Sequence, residues 1–242
     1  CDARLVSLYA RAFPWATVRA ESVTADGRER FDPPDCDLQI AAGSLPALRR
    51  DRLERFPARP SFLTPDLERA ALWRERVDAL GPGLKVGISW RSQIVTAHRE
   101  GAYTRITDWL PLLEVPGLRI VNLQYGDCAA ELASIEPDGV QRVHRWDDLD
   151  LKNDLEGVAA LMAALDLVIL PATAAGELAG SLGVPVWRLG SRDWTWMGSG
   201  VRPWFPTQRL IAPHPGETSA DLLRRIARML TRMMTNPNPD EV

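Results

Sequence analysis

Between residues 84 and 189 the chain alternates short, near-continuous apolar runs with longer stretches of helical period, and few folds accommodate that pattern. The apolar runs are 84–90 (LKVGISW), 118–123 (LRIVNL), 167–170 (LVIL) and 184–189 (VPVWRL), with a weaker one at 140–144. A strand open to water on one face alternates apolar and polar residues. A run apolar on both faces belongs in a parallel sheet covered by helices on each side. Helices are expected between the runs. The first spans 106–113, capped by Thr104 or Thr107, and the second 128–135, with Asp127 before it. Asp154 caps a third that carries Leu155, Val158, Leu161, Met162 and Leu165, and a fourth spans 175–182, closed by Gly183. The expected fold is α/β, a Rossmann-like unit over 84–214 with a parallel sheet.

The flanks carry weaker signals. Residues 1–17 read as an amphipathic helix stopped by Pro14, followed by a short strand at 16–20 and a polar loop through Asp26-Gly27 and Pro33-Pro34. A buried strand at 38–41 and a helix from Ser44 to Glu54 are expected next. This opening is too one-sided to close a core, so 1–63 reads as the remainder of a truncated N-terminal α/β domain. Thr64-Pro65 starts a linker helix (64–83), with Thr64 as cap, running to about Leu80 and ended by Gly81-Pro82-Gly83. A tryptophan-rich loop (Trp194, Trp196, Trp204) follows the last apolar run. Over 215–242, Ser219 is expected to cap a final helix with Leu222, Leu223, Ile226 and Leu230 on one face, before a tail that frays from Asn236. A start at Cys1 rather than Met reads as a piece of a longer protein.

Composition removes several function classes. With 242 residues, 45% hydrophobic and 25% charged, the chain can bury a sizeable core. No window approaches the roughly 18 apolar residues of a membrane helix. A net charge of −3 argues against nonspecific nucleic-acid binding but leaves room for a local anion site. Cys1, Cys36 and Cys128 are scattered, as are His98, His144 and His214. Neither a disulfide framework nor a metal site is expected, and a reducing, cytoplasmic compartment is.

Ligands of open α/β sheets bind at the carboxyl ends of the strands. Four segments meet there: Trp90-Arg91-Ser92 with Arg99 and Arg105 further on, Gln124-Tyr125-Gly126-Asp127, Pro171 to Glu177, and 194–205. In the third, a strand passes into a helix through Ala172, Thr173, Ala174, Ala175 and Gly176. Small residues let a diphosphate reach backbone N–H groups at the positive end of the helix dipole. They also let a helix pack close to a sheet, and Ala179-Gly180 fits that reading equally well. Glu177 either favours the dipole or accepts from ribose hydroxyls. Directly on the phosphates it would repel them. Arg91, Arg99 and Arg105 can grip phosphate in a fork or simply lie in solvent. Gln124 and Tyr125 can hold a base or sugar, or cap a strand. His98 and His144 read as surface or satisfied histidines. The sequence contains no P-loop, nucleophile elbow or full GxGxxG.

Taken in order, LKVGISWRS, TRITDWLPLL, LRIVNLQYGD, NDLEGVAALMAALDLVILPATAAGELAGSLGVPVWRL, DWTWMG and RPWFPTQRL resemble a known family. The chain is similar, over nearly its whole length, to the GT-B glycosyltransferase module of bacterial proteins that carry tetratricopeptide repeats. That module is related to heptosyltransferases and, more distantly, to O-linked N-acetylglucosamine transferases. The resemblance implies two Rossmann-like domains facing a cleft, with a nucleotide-sugar donor on the second and the last helix packed back on the first. It implies no cofactor and no metal, and an acceptor protein, flagellin among the candidates. Its donor-binding set is Thr173, Ala174, Ala175, Gly176, Glu177, Arg105, Gln124, Tyr125, Trp90 and Arg91. No catalytic base is implied by the residues present. Many relatives carry Asp-Thr and a His where this chain has Ala172-Thr173 and Glu177. The function expected is sugar transfer to a protein hydroxyl. The alternatives are a noncatalytic nucleotide-sugar-binding module and a heptosyltransferase-like enzyme with a saccharide acceptor.

Overall fold

The computed structural model describes residues 1–22, 35–57, 59–93 and 103–235. In chain order they form α1 (Val6–Ala12), α2 (Leu45–Arg49), α3 (Leu67–Asp78), β1 (Leu84–Ile88), α4 (Leu110–Leu113), β2 (Leu118–Asn122), α5 (Ala129–Ile135), α6 (Leu155–Met162), β3 (Leu167–Pro171), α7 (Ala174–Ser181), β4 (Val186–Leu189), β5 (Gln208–Ile211) and α8 (Ser219–Thr235). The five strands pair in parallel in the order β2-β1-β3-β4-β5.

Alternate residues of each strand feed two cores. Val86, Ile88, Ile120, Ile169 and Leu189 face a cluster with Trp109, Leu112, Leu132 and the α8 residues Leu222, Leu223, Ile226 and Leu230. Val121, Leu123, Val168, Leu170 and Val186 face the other, with α6, Trp73 and Val77 of α3, and Leu8 of α1. Both faces are thus covered, which is why the strands are apolar on both. Gly87 lies mid-sheet because a Cβ there would stand 2.5 Å from Leu123 Cδ1 and 2.7 Å from Leu165 Cδ1.

The expected strand at 140–144 survives as a single parallel bridge, His144 to Val121. Glu136 explains the shortening: its Oε1 accepts from the Arg142 and Val143 amides (2.9 and 3.3 Å), and a longer strand would have aimed the Arg142 amide at β2, as the His144 amide is aimed at the Ile120 carbonyl. Counting that bridge as a strand gives the spatial order 3-2-1-4-5-6 of the doubly wound dinucleotide-binding fold. The strand β5 was not anticipated. Its sequence, QRLI, lacks a continuous apolar run, and Arg209 at this sheet edge is exposed.

The leading segment departs most from expectation. Among its described residues neither 16–20 nor 38–41 is a strand, and Leu38 and Ile40 are 91% and 50% exposed. A strand needs a neighbour to take its backbone hydrogen bonds, and none stands there. Asp26-Gly27 and Pro33-Pro34 lie outside the described residues. The helix expected at 44–54 splits into α2 and a 3-10 turn at Leu53–Arg55. In place of a truncated α/β domain, the described part of 1–63 holds helices and turns, and α1 leans on the sheet unit. Ser7 Oγ donates to Glu156 Oε2 (2.6 Å), Arg11 pairs with Glu156 (2.9 Å), and Arg4 donates to the Lys152 carbonyl (2.7 Å).

Helix starts also moved. Asp66, not Thr64, caps α3, accepting from the Arg69 amide at 2.9 Å, while its own amide donates to Glu156. Neither Thr104 nor Thr107 caps the 106–113 helix, which opens as a 3-10 turn (Ile106–Trp109) with Arg105 at the cap. Thr104 Oγ1 instead accepts from the Trp109 indole (2.8 Å). The last helix starts with a reciprocal pair, the Asp221 amide to Thr218 Oγ1 and the Thr218 amide to Asp221 Oδ2 (3.2 Å each). Among the described residues it lies on one face of the sheet, where its apolar stripe covers Trp109 and Leu112. The Asp154 cap stands as expected, accepting from the Gly157 amide at 3.0 Å.

Candidate functional site

From β1 the chain crosses to β2 on one side and later reaches β3 on the other. The loops after β1 and β3 therefore part, leaving the crevice where such sheets bind ligands. Beyond β3, Thr173 is extended (φ −136°, ψ 164°) and caps α7 through its carbonyl, which accepts from the Gly176 and Glu177 amides (3.0 and 3.4 Å). The Ala174 and Ala175 amides have no hydrogen-bond partner among the described residues. Thr173 Oγ1 is buried and equally unpartnered. A buried unpaired hydroxyl costs about 1–3 kcal/mol, so this atom calls for an explanation.

Close packing accounts for part of this turn. A Cβ on Gly176 would stand 2.7 Å from Leu170 Cδ1, and one on Gly180 would stand 2.6 Å from Gln208 Nε2 and 3.0 Å from Phe205. It does not account for Ala174, which is exposed, or for the idle Thr173 hydroxyl.

Glu177 is not free. Both its oxygens accept from Arg202 Nη1 at 2.8 Å. Arg202 is 4% exposed and also donates to Gln208 Oε1 (2.7 Å) and, through Nε, to Thr195 Oγ1 (2.9 Å). Gln208 Nε2 donates to the Gly176 carbonyl (2.7 Å). Sequence reasoning missed both Arg202 and Gln208. The signal was an Arg and a Gln embedded among the aromatic residues of RPWFPTQRL, where only buried partners justify them.

The loops after β1 and β2 are closed by their own polar groups. Gln124 is 1% exposed, and its Oε1 accepts from Ser89 Oγ (3.1 Å) and the Trp90 and Arg91 amides (3.1 and 3.0 Å). Its Nε2 donates to the Tyr125 carbonyl (3.0 Å). Gln124 therefore ties two loops together, with its amide oxygen fully engaged. Trp90 is fully buried, its indole donating to Glu131 Oε1 (2.9 Å). Arg91 forks onto the same carboxylate and reaches the Asp127 carbonyl (2.9 Å). Burial would raise the Glu131 pKa, but the hydrogen bonds from Arg91 and Trp90 outweigh it and hold the carboxyl below its ordinary value. Trp90 and Arg91 thus support the loop rather than face the crevice. Asp127 Oδ1 accepts from the Ala129 amide at 3.1 Å, but the residue at the cap of α5 is Cys128, one position after the Asp127 expected there.

Tyr125 and Arg105 remain available. The Tyr125 hydroxyl touches Ser92 Oγ at 3.0 Å. Arg105 is exposed and makes no ion pair among the described residues. Arg99 and His98 lie outside the described residues. Burial first, and the charge of Arg119 second, hold His144 below its ordinary pKa, so it is a neutral, packed histidine. A cavity of about 710 Å³ opens beyond β2, lined by Tyr125, Asp127, Cys128, Trp146 and Leu149 among others, a size suited to a nucleoside. A second, of about 530 Å³, lies beside Ala174 and Ala175 and shares Tyr125 with the first. Among the described residues no group of three or more His, Cys, Asp or Glu could hold a metal ion, and no helix is long and apolar enough to cross a membrane.

No family model matches the chain. Among solved structures, E. coli ADP-heptose lps heptosyltransferase II superposes with a TM-score of 0.51 at 15% identity, over 75% of this chain and 57% of its own. The fold is GT-B glycosyltransferase-like. The five-stranded domain matches part of that heptosyltransferase. E. coli heptosyltransferase WaaC with ADP follows at a TM-score of 0.45 and 16% identity, over 66% of this chain and 48% of its own. In sequence, Protein FlbA of Caulobacter vibrioides is 40% identical over 240 residues, 95% of this chain. The chain spans 40% of the length of that curated relative.

Proposed function

We propose that this chain binds a nucleotide-activated sugar in the crevice between β1 and β3 and serves in its transfer to a protein hydroxyl. The observation that carries the proposal is the turn after β3. Two idle amides and an idle Thr173 hydroxyl stand at the positive end of α7, in a domain of GT-B glycosyltransferase-like fold. The diphosphate would lie on Thr173 to Gly176, with Arg105 reaching its outer oxygens. The nucleoside would lie past Tyr125, in the cavity beyond β2. Gln124, Trp90 and Arg91 would keep that loop in place. Glu177, paired with Arg202, would sit behind the phosphates.

In the reaction an acceptor oxygen attacks the anomeric carbon, the bond from that carbon to the phosphate oxygen breaks, and the nucleoside diphosphate leaves with the electron pair. The acceptor proton passes to a base that lies outside the groups named here. Amide dipoles fixed before the reaction stabilise the charge that grows on the leaving oxygen, and need no reorganisation to do so. This is how a GT-B site can work without a divalent cation. The protein acceptor rests on the resemblance to repeat-bearing glycosyltransferases, and flagellin is the first acceptor to assay.

The test is a thermal-shift screen against UDP, ADP, GDP, CMP and their sugar conjugates, ADP-heptose included. A ligand at about 100 times its Kd adds about 2.7 kcal/mol, a readily seen rise in Tm. One nucleotide should raise Tm, and Thr173→Arg should abolish the rise with the fold intact. A rise that survives Thr173→Arg places the donor elsewhere. Label passing from donor to peptide, and not to a lipid saccharide, fixes the acceptor class. Binding without any transfer by the longer protein would mark a noncatalytic module.

A further inference from the structure

The first turn of α7 presents a contradiction that Arg202 resolves. An anion-binding turn should be free of negative charge, yet Glu177 lies one residue past Gly176. Its carboxylate is 39% exposed at the side chain and is held on both oxygens by Arg202, whose own side chain is 5% exposed. Burying an arginine is costly unless it is paired and hydrogen-bonded, and here acceptors for Nε and Nη1 come from three elements. Gln208 on β5 accepts from Nη1 and hands a second hydrogen bond to the Gly176 carbonyl, inside the turn itself. Thr195 accepts from Nε and donates to Asp193 Oδ1, and Asp193 Oδ2 pairs with the buried Arg188 at 2.6 Å. The Arg202 guanidinium also lies over the Phe205 ring, 4.8 Å from its centroid. The cation is fixed in place before any ligand arrives.

We infer that Arg202 is a positioning residue that cancels the Glu177 charge, so that the turn after β3 admits a diphosphate which Glu177 alone would repel. This rests on the reading that the turn binds the donor diphosphate. A purely structural role, pinning the 194–205 loop to α7, would be indifferent to the charge on Glu177. Charge cancellation is not.

Titration calorimetry with inorganic pyrophosphate separates the two, because it reads the turn without needing the right base. In the wild-type chain, pyrophosphate should bind and Thr173→Arg should abolish binding. Arg202→Gln should weaken it by roughly tenfold or more, Glu177→Gln in that background should restore it to within about threefold, and the losses should shrink at high salt. Should Arg202→Gln fail to fold, Glu177→Gln alone decides: with Arg202 left uncompensated, pyrophosphate should bind several-fold more tightly. Wild-type binding that Glu177→Gln leaves unchanged overturns the charge pairing and spares the donor turn. So does a loss in Arg202→Gln that Glu177→Gln fails to rescue. No pyrophosphate binding by the wild type would overturn both.

Discussion

The loops after β1 and β2 and the turn after β3 sit at the same end of one sheet, and they treat polar groups in opposite ways. Around Gln124, polar groups find protein partners: Ser89, Trp90 and Arg91 converge on one amide oxygen, and Trp90 and Arg91 on one carboxylate. Around Thr173, two amides and a hydroxyl have none. Satisfied polar networks rigidify, whereas unsatisfied groups hold binding capacity in reserve. On the function proposed above, the first region is scaffold and the second is site. The difference lies in side-chain size: large polar residues reach each other, and alanines cannot.

The largest effect expected from breaking this contrast is in the clamp. Gln124→Leu removes the acceptor of three donors and leaves two backbone amides unpaired at a buried loop, at a cost of about 3 kcal/mol or more. Denaturant midpoints check it, and an unchanged midpoint would mean that water replaces the amide. Thr173→Val should do the reverse. It deletes a hydroxyl that pairs with nothing, so stability should hold or rise by up to about 1 kcal/mol, while nucleotide affinity falls by roughly tenfold. Lost stability with unchanged affinity would make Thr173 scaffold as well.

How much of this contrast was legible in the sequence follows from what each signal depends on. Strands β1 to β4 could be read because burial on both faces leaves a composition that no turn imitates. The passage from β3 through Thr173 into α7 could be read because tiny residues separate a buried strand from a helical run. Trp90, Arg91 and Gln124 were placed at the strand ends, but the partners that hold them there were not legible. Sequence marks a polar residue at a strand end, but not whether a neighbour 40 residues away, here Glu131, claims it. Arg202 and Gln208 escaped for the same reason, since their partners Glu177 and Gly176 lie 25 and 32 positions back. The strands expected at 16–20 and 38–41 failed because local propensity cannot supply a neighbouring strand.

Acid sharpens the comparison at a smaller scale. Glu131 titrates below its ordinary value of 4.5 in the folded chain. A carboxyl with a depressed folded value binds fewer protons than in the unfolded chain, so its contribution is present in full above about 4.5 and disappears as pH falls through the lower folded value. Arg91→Gln removes the fork and lets burial dominate, so this variant should be about 1–2 kcal/mol less stable at pH 7. The gap to wild type should close below pH 4.5, where Glu131 begins to protonate in the unfolded chain. Denaturant titrations at pH 7 and toward pH 3 measure it, and a gap that persists unchanged into acid would detach Arg91 from Glu131. Nucleotide affinity at pH 7 should fall less than in Thr173→Val, since Arg91 faces α5 and acts on the ligand only through the loop it holds.

Arg105 gives the finest test, because it lies on the scaffold side of the crevice yet is held by no ion pair among the described residues. Its exposure makes it nearly irrelevant to folding, so Arg105→Ala should leave stability within about 0.5 kcal/mol of wild type. If its guanidinium reaches the outer phosphate oxygens, nucleoside diphosphate affinity should fall by roughly three- to tenfold. Affinity for the bare nucleoside, which lacks those oxygens, should not change. Raising the salt concentration should shrink the loss, because a charge contact at an exposed edge is screened within about 8–10 Å. Equal losses for nucleotide and nucleoside would put Arg105 against the base or sugar. No loss for either would leave the phosphates to the turn after β3 alone.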